Sequence, residues 1–205
     1  MAMIRGRPFL DILIDDLARQ GVRRFILCIG HRGDQIVAHL RSRSDAEFVF
    51  SEESKPLGTG GALRHAAHLI RSDPFLALNG DSLCRIDYGR FLAFHRERSA
   101  KASIVVAAAR GRSDGGTVEL ADDARVVRFR EKAAGGNAAL TYINAGIYLL
   151  RRDLPTLWLQ SDPFSLENDI FPELVSRKNC YGFVVDAEVV DIGTPERYLE
   201  AQGKL

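Results

Sequence analysis

The sequence predicts an α/β fold: a mostly parallel sheet with helices on both faces and a small antiparallel extension. Three observations predict it. Apolar residues alternate between runs at helical spacing and short continuous runs, the mark of buried helices and strands. Up to Asp81 the order of these runs is αβαβαβ, which requires crossovers and therefore parallel strands. Between Gly116 and Leu150 the pattern changes to a period of two, as expected of antiparallel strands. A chain of 205 residues, 46% of them apolar, suits a single domain spanning residues 1–205, and no repeat, linker or low-complexity stretch divides it.

Phe9, Leu10, Leu13, Ile14 and Leu17 recur at helical spacing and Gly21 follows, so the first helix is expected from Pro8 to Gln20. "RFILCIG" reads as a buried strand, "RGDQIVAHLRSR" as a helix, "EFVFSE" as a strand, "GGALRHAAHLI" as a helix and "FLALNGD" as a strand ending in a turn. A helix over Tyr88 to Arg98 precedes the strand "ASIVVAAA". "GTVELADDARVVRFREK" folds back around "ADDA", and "LTYINAGIYLL" supplies the next strand. The chain then returns to a helix in "FSLENDIFPELVSRK", strand character in "CYGFVVDAEVVDIG" and a closing helix in "TPERYLEAQ". This order is Rossmann-like, with one departure. Such nucleotide-binding folds open with a strand, whereas "MAMIRGR" is too short and polar to be one.

The net charge of +1, with Lys and Arg scattered along the chain, excludes the electrostatic footprint of a nucleic-acid binder. Cys28, Cys84 and Cys180 are odd in number and lack C-x-x-C spacing, which fits reduced thiols. No apolar run reaches membrane-spanning length, and the first residues lack the layout of a signal peptide. A cytoplasmic protein with no membrane partner is expected.

Candidate chemistry concentrates at strand ends. Asp81 follows an apolar strand in "LNGDSL", where ligands gather in open parallel sheets and a carboxylate can hold Mg²⁺ against phosphate oxygens. A plain Asn-Gly-Asp turn is the competing account. Asp191 repeats this position in "VVDIGTPERY", where capping explains Thr194 and Pro195 but not the aspartate. Together the two acids can converge on one metal.

Lys132 in "FREK" suits a phosphate and Glu131 suits sugar hydroxyls, although surface Glu-Lys neighbours are common. Asn144 and Gly146 interrupt an apolar strand, which marks either close approach of a ligand or a β-bulge. Ser165 caps a helix whose first turn holds Glu167 and Asp169.

The loop Gly58, Thr59, Gly60, Gly61 fits neither the P-loop nor the dinucleotide fingerprint. It offers backbone that a flat group can approach, with a hydroxyl partner, or simply a helix start. His65 and His68 lack further ligands for a metal, His31 lacks an acid partner, and no nucleophile elbow occurs.

Taken in order, "GRPFLDILIDDLARQGVRRFILCIGHRGDQI", "PLGTGGAL", "LNGDSL", "FREK", "NAGIY", "FSLENDIFP" and "DIGTPERY" resemble the sugar-1-phosphate nucleotidyltransferases. The sequence is most similar to the bacterial heptose- or mannose-1-phosphate guanylyltransferase branch. The resemblance implies transfer of a nucleotidyl group from a nucleoside triphosphate, GTP by this branch, to a heptose- or mannose-type sugar 1-phosphate, for surface-polysaccharide precursors. It implies that Gly58, Thr59, Gly60 and Gly61 hold the base and ribose, and that Asp81 and Asp191 hold Mg²⁺ between the phosphates. Lys132 would pair with the sugar phosphate, and Glu131, Asn144, Gly146 and Glu167 would contact the sugar. Asp81, Lys132 and Asp191 form the implied catalytic set.

The family pattern also begins with a strand and a G-G-x-G-T-R-L loop, followed by P-K-P, ahead of the equivalent of Arg5 to Phe9. This sequence shows none of these. Little or no turnover by residues 1–205, and unpaired neighbouring strand edges, are expected from that difference. The alternative function is a catalytically silent homologue that binds a nucleotide-sugar or regulates an active subunit. A nicotinamide-dependent reductase is disfavoured by the missing fingerprint. Base, sugar and a homo-oligomeric state are left open.

Overall fold

The computed structural model describes residues 1–109, 116–130, 141–158 and 160–205. Two short strands, β1 (Met3–Ile4) and β2 (Arg7–Pro8), form a hairpin ahead of α1 (Phe9–Arg19). β3 (Arg24–Ile29), α2 (Gly33–Leu40) and β4 (Glu47–Glu52) make a crossover unit whose strands pair in parallel. α3 (Gly58–Ala66) leads to β5 (Phe75–Leu78), β6 (Ser82–Cys84), α4 (Tyr88–Glu97) and β7 (Ala102–Ala108). β8 (Thr117–Leu120), β9 (Val126–Arg130) and β10 (Thr141–Leu150) follow. After α5 (Leu154–Leu157), a π-helical turn at Leu166–Ile170 runs into α6 (Phe171–Ser176). β11 (Cys180–Val185), β12 (Val189–Asp191) and α7 (Pro195–Lys204) complete the chain.

The main sheet has the order β11, β7, β10, β8, β9, with β5 also on β10. β10 is antiparallel to β5 and β7, and β11 is parallel to β7, so β5, β7 and β11 run one way with β10 between them. The α/β class expected from the sequence holds as this mixed sheet. The sequence between β7 and β10 holds no run at helical spacing to serve as a crossover, and the pairs that form there, β10 with β7, β10 with β8 and β8 with β9, are all antiparallel. The antiparallel extension is the β8–β9 pair. Among the described residues β3 pairs with β4 alone and β5 with β10 alone, leaving one edge of each without a strand partner.

β7 is buried on both faces, which explains why it reads as a continuous apolar run. Ile104 and Val106 enter one core with Tyr148, Leu150 and Phe171, while Val105 and Ala107 enter the other with Phe91 and Ile147. A third cluster joins the chain ends: Ile4, 1% exposed, packs with Phe9, Val190 and Ala201. Tyr198 Oη and Gln202 Nε2 each donate to the Met3 carbonyl at 2.7 Å, so the first hairpin is fastened to α7.

Candidate functional site

β6 pairs antiparallel with β12, setting Asp191 opposite Ser82 and therefore beside Asp81. The two aspartates meet through this ribbon rather than at the ends of two parallel strands, which corrects the sequence expectation. β6 and β12 form their own pair, separate from the main sheet. The Ser82 hydroxyl lies 3.2 Å from Asp81 Oδ1 and 3.1 Å from Asp191 Oδ2. Gly193 fits beside both carboxylates, since a Cβ there would stand 3.4 Å from Asp81 Oδ2 and 3.4 Å from Asp191 Oδ1.

Arg197 donates to Asp191 Oδ1 at 2.7 Å and the Gly193 N–H donates to the same oxygen at 3.0 Å. Thr194 caps α7 by accepting from the Arg197 N–H, as the capping account of "GTPERY" required. Two carboxylates and a hydroxyl converging near the surface suit Mg²⁺, which takes one or two carboxylates and keeps waters for phosphate. Among the described residues no set of three or more His, Cys, Asp or Glu forms a closed metal cage.

A second cluster gathers Thr59, Asn144, Gly146 and Glu167. β10 shifts register between Asn144 and Tyr148, and Gly146 occupies the bulge at φ 71, a conformation few other residues adopt. The close neighbour that the glycine admits is Asn79, whose Cβ and Nδ2 would stand 3.1 Å from an added Cβ. Asn79 also donates its N–H to the Gly146 carbonyl at 2.9 Å. Asn79 is two residues before Asp81, so this contact makes the two clusters contiguous.

Asn144 Oδ1 accepts from the Gly146 N–H at 3.0 Å, and its Nδ2 donates to Tyr148 Oη at 2.7 Å. Tyr148 in turn donates to Glu167 Oε1 at 3.2 Å. Glu167 Oε2 accepts from Thr59 at 2.7 Å and from Ser165 at 2.9 Å. The Ser165 hydroxyl also caps the turn by accepting from the N–H groups of Glu167 and Asn168. Glu167 is thus a buried carboxylate held by three hydroxyls at a helix N-terminus, where negative charge is favoured. Sequence reasoning missed Tyr148. Its signal was present, because Asn144, Gly146 and Tyr148 share one face of a strand at a period of two.

The glycine loop forms the first turn of α3. Gly60 and Gly61 are buried, and their N–H groups point at the Phe164 carbonyl at 3.1 and 3.4 Å. A Cβ on Gly60 would collide with the Phe164 ring, and one on Gly58, at φ 77, with the Phe164 backbone. Arg64 holds that segment in place, with its guanidinium 4.8 Å over the Phe164 ring and bonded to Asp162 at 2.8 Å. Packing against Phe164, and for Gly61 against Asp162 and Leu57, therefore accounts for the glycine requirement, while Gly58 and Thr59 remain exposed.

Glu131 and Lys132 lie outside the described residues. A cavity of about 310 Å³ opens beside Asp191 and Arg197, lined by Ala108 and Ile143 and edged by Glu188 and Lys204. His31, His65 and His68 are exposed. The three cysteines are unpaired, and burial followed by the charge of Asp16 pushes the Cys84 thiol up to about 11, away from nucleophilic use. Among the described residues no helix is long and apolar enough to cross a membrane.

Residues 1–205 match the family described as Nucleotidyl transferase. A D-glycero-alpha-D-manno-heptose 1-phosphate guanylyltransferase from Aneurinibacillus thermoaerophilus is 31% identical over 208 residues, covering 100% of this chain and 88% of the relative. A mannose-1-phosphate guanyltransferase from Eremothecium gossypii is 32% identical over 203 residues, covering 95% of this chain and 55% of the relative, so the chain spans about half the length of that protein. The structure is similar to that of HddC from Yersinia pseudotuberculosis complexed with GMP-PN, with a TM-score of 0.87, 31% identity and coverage of 100% of this chain and 88% of that one. A match that runs the length of the chain, with this identity to a relative it nearly covers, places the protein in the nucleotidyl transferase family.

Proposed function

We propose that the chain transfers the guanylyl group of GTP to a heptose-type sugar 1-phosphate, giving a GDP-sugar and pyrophosphate. The observation that carries this reading is the contiguity of the Asp81–Asp191 pair with Asn144 and Glu167 through the Asn79–Gly146 contact. One group of side chains suits phosphates and the adjoining one suits hydroxyls. The guanine and heptose assignments follow the named relatives and the GMP-PN bound by HddC.

In this reaction an oxygen of the sugar phosphate attacks the α-phosphorus, and the bond from that phosphorus to the bridging oxygen of the β-phosphate breaks. No protein nucleophile is needed, only alignment and charge neutralisation. Asp81 and Asp191 would hold Mg²⁺, which supplies that neutralisation when bound. Arg197 and the Gly193 N–H steady Asp191 for this role. Lys132 pairs with the sugar phosphate, and Glu131, Asn144, Gly146 and Glu167 form the sugar side. Gly58 and Thr59 face the base and ribose, and Gly60 and Gly61 shape the turn that presents them.

The test incubates the purified chain with Mg²⁺, heptose or mannose 1-phosphate and each of GTP, UTP and dTTP, and separates products by anion exchange. GDP-sugar and equimolar pyrophosphate formed with GTP, and lost on chelation with EDTA and in Asp81→Asn, would support the transfer and overturn the expectation of little or no turnover. Heat of GDP-sugar binding without turnover would favour the silent, nucleotide-sugar-binding homologue instead. Neither product nor heat of binding with any of these compounds would overturn both readings.

A further inference from the structure

We infer that Tyr148 is a positioning residue that sets the orientation of Asn144 and Glu167 as one unit for recognising a ligand hydroxyl; this rests on the proposed sugar 1-phosphate reading. The phenol has one proton, and its contacts with Glu167 and Asn144 dictate where that proton goes. A carboxylate only accepts, so Tyr148 donates to Glu167 Oε1 at 3.2 Å. An amide nitrogen only donates, so Tyr148 accepts from Asn144 Nδ2 at 2.7 Å. The Gly146 N–H at 3.0 Å from Asn144 Oδ1 fixes the same amide orientation from its other end.

The ring itself cannot drift. Tyr148 is 1% exposed, and its ring centroid lies 4.9 Å from that of Phe171. Thr59 and Ser165 occupy Glu167 Oε2. Among the described residues these contacts leave one Nδ2–H of Asn144 and one lone-pair direction of Glu167 Oε1 for a ligand, on either side of the phenol oxygen. A donor and an acceptor so placed match a single sugar hydroxyl, which accepts from one and donates to the other. Without the phenol the amide keeps only the Gly146 bond and the carboxylate only those from Thr59 and Ser165, so the two groups are no longer held relative to each other and the match is weakened.

The experiment compares Tyr148→Phe with the wild-type chain, taking thermal melts to confirm folding, then KM and kcat for sugar 1-phosphate and GTP separately. Calorimetric Kd values replace KM where turnover is slow. Phenylalanine keeps the ring packing against Phe171 and removes the hydroxyl alone. The expected result is a rise of about tenfold or more in the constant for the sugar 1-phosphate, with less than about a twofold change for GTP.

Equal constants in the two proteins, or equal losses for both substrates, overturn the role of Tyr148 while leaving the proposed reaction intact. Should the phenylalanine chain fail to fold, Asn144→Asp decides. It puts an acceptor where Tyr148 needs a donor, so the sugar constant must rise and the GTP constant must hold; unchanged sugar binding sinks the inference. A wild-type chain that binds no sugar 1-phosphate overturns the inference and the proposed reaction together.

Discussion

His95 lies near the end of α4, 3% exposed, with Nδ1 2.9 Å from the Ser103 hydroxyl. Burial disfavours its charged form and lowers the pKa below the ordinary 6.5; Asp73 opposes this shift and Arg96 adds to it. As the pH falls, the unfolded chain therefore takes up this proton before the folded one does. The contribution of the neutral ring is complete above the unfolded value and is lost as the pH drops through the depressed folded one. Urea denaturation at about pH 7.5 and about pH 5.5 should show the midpoint of the wild type falling more steeply than that of His95→Gln. Identical slopes in the two proteins would contradict the assignment.

The contact between the start of α3 and the Phe164 segment is the element-scale counterpart of the site. Gly60 has room for a hydrogen and nothing larger against the Phe164 ring, and Thr59 bridges the same two elements by accepting from the Leu166 N–H at 2.8 Å while donating to Glu167. Gly60→Ala should cost about 1–3 kcal/mol, because either the ring or the helix must move. Gly203 provides the contrast in α7. Nothing lies within 4 Å of its would-be Cβ, and alanine there should stabilise by up to about 1 kcal/mol through helix propensity. Equilibrium denaturation of the two variants checks both signs, and similar changes in both would remove the packing argument.

Across the whole molecule, the first hairpin and α7 close the chain on itself. Arg5 donates through Nε to the Gln202 carbonyl at 2.8 Å, and Ile4 fills the cluster that backs Val190, the neighbour of Asp191. Ile4→Ala should lower the stability of the folded chain by about 2–4 kcal/mol, since the cavity opens where two termini and β12 meet. Limited proteolysis should then cut first in α7, and protection of α7 equal to that in the wild type would show that the hairpin does not hold it.

Sequence by itself determined the α/β class and the order of the longer helices and strands, and it drew attention to the acids at Asp81, Asp191 and Glu167, because burial and local capping impose periods and residue types that can be read along a chain. Strands of two or three residues such as β1, β2 and β6 are too short to show a period. Sequence also exposed the break at Asn144 and Gly146. What it left open was which of two readings each such feature obeys. Only the tertiary structure decided that the bulge at Gly146 admits Asn79, that the glycines of α3 admit Phe164, and that Asp81 and Asp191 meet through an antiparallel ribbon. Tyr148 belongs to the same class, since a tyrosine in an apolar strand looks like core until its hydroxyl is found between Asn144 and Glu167. The physical reason is common to all of them: close approaches and shared protons depend on residues far apart in the chain, and no local pattern encodes the distance between them.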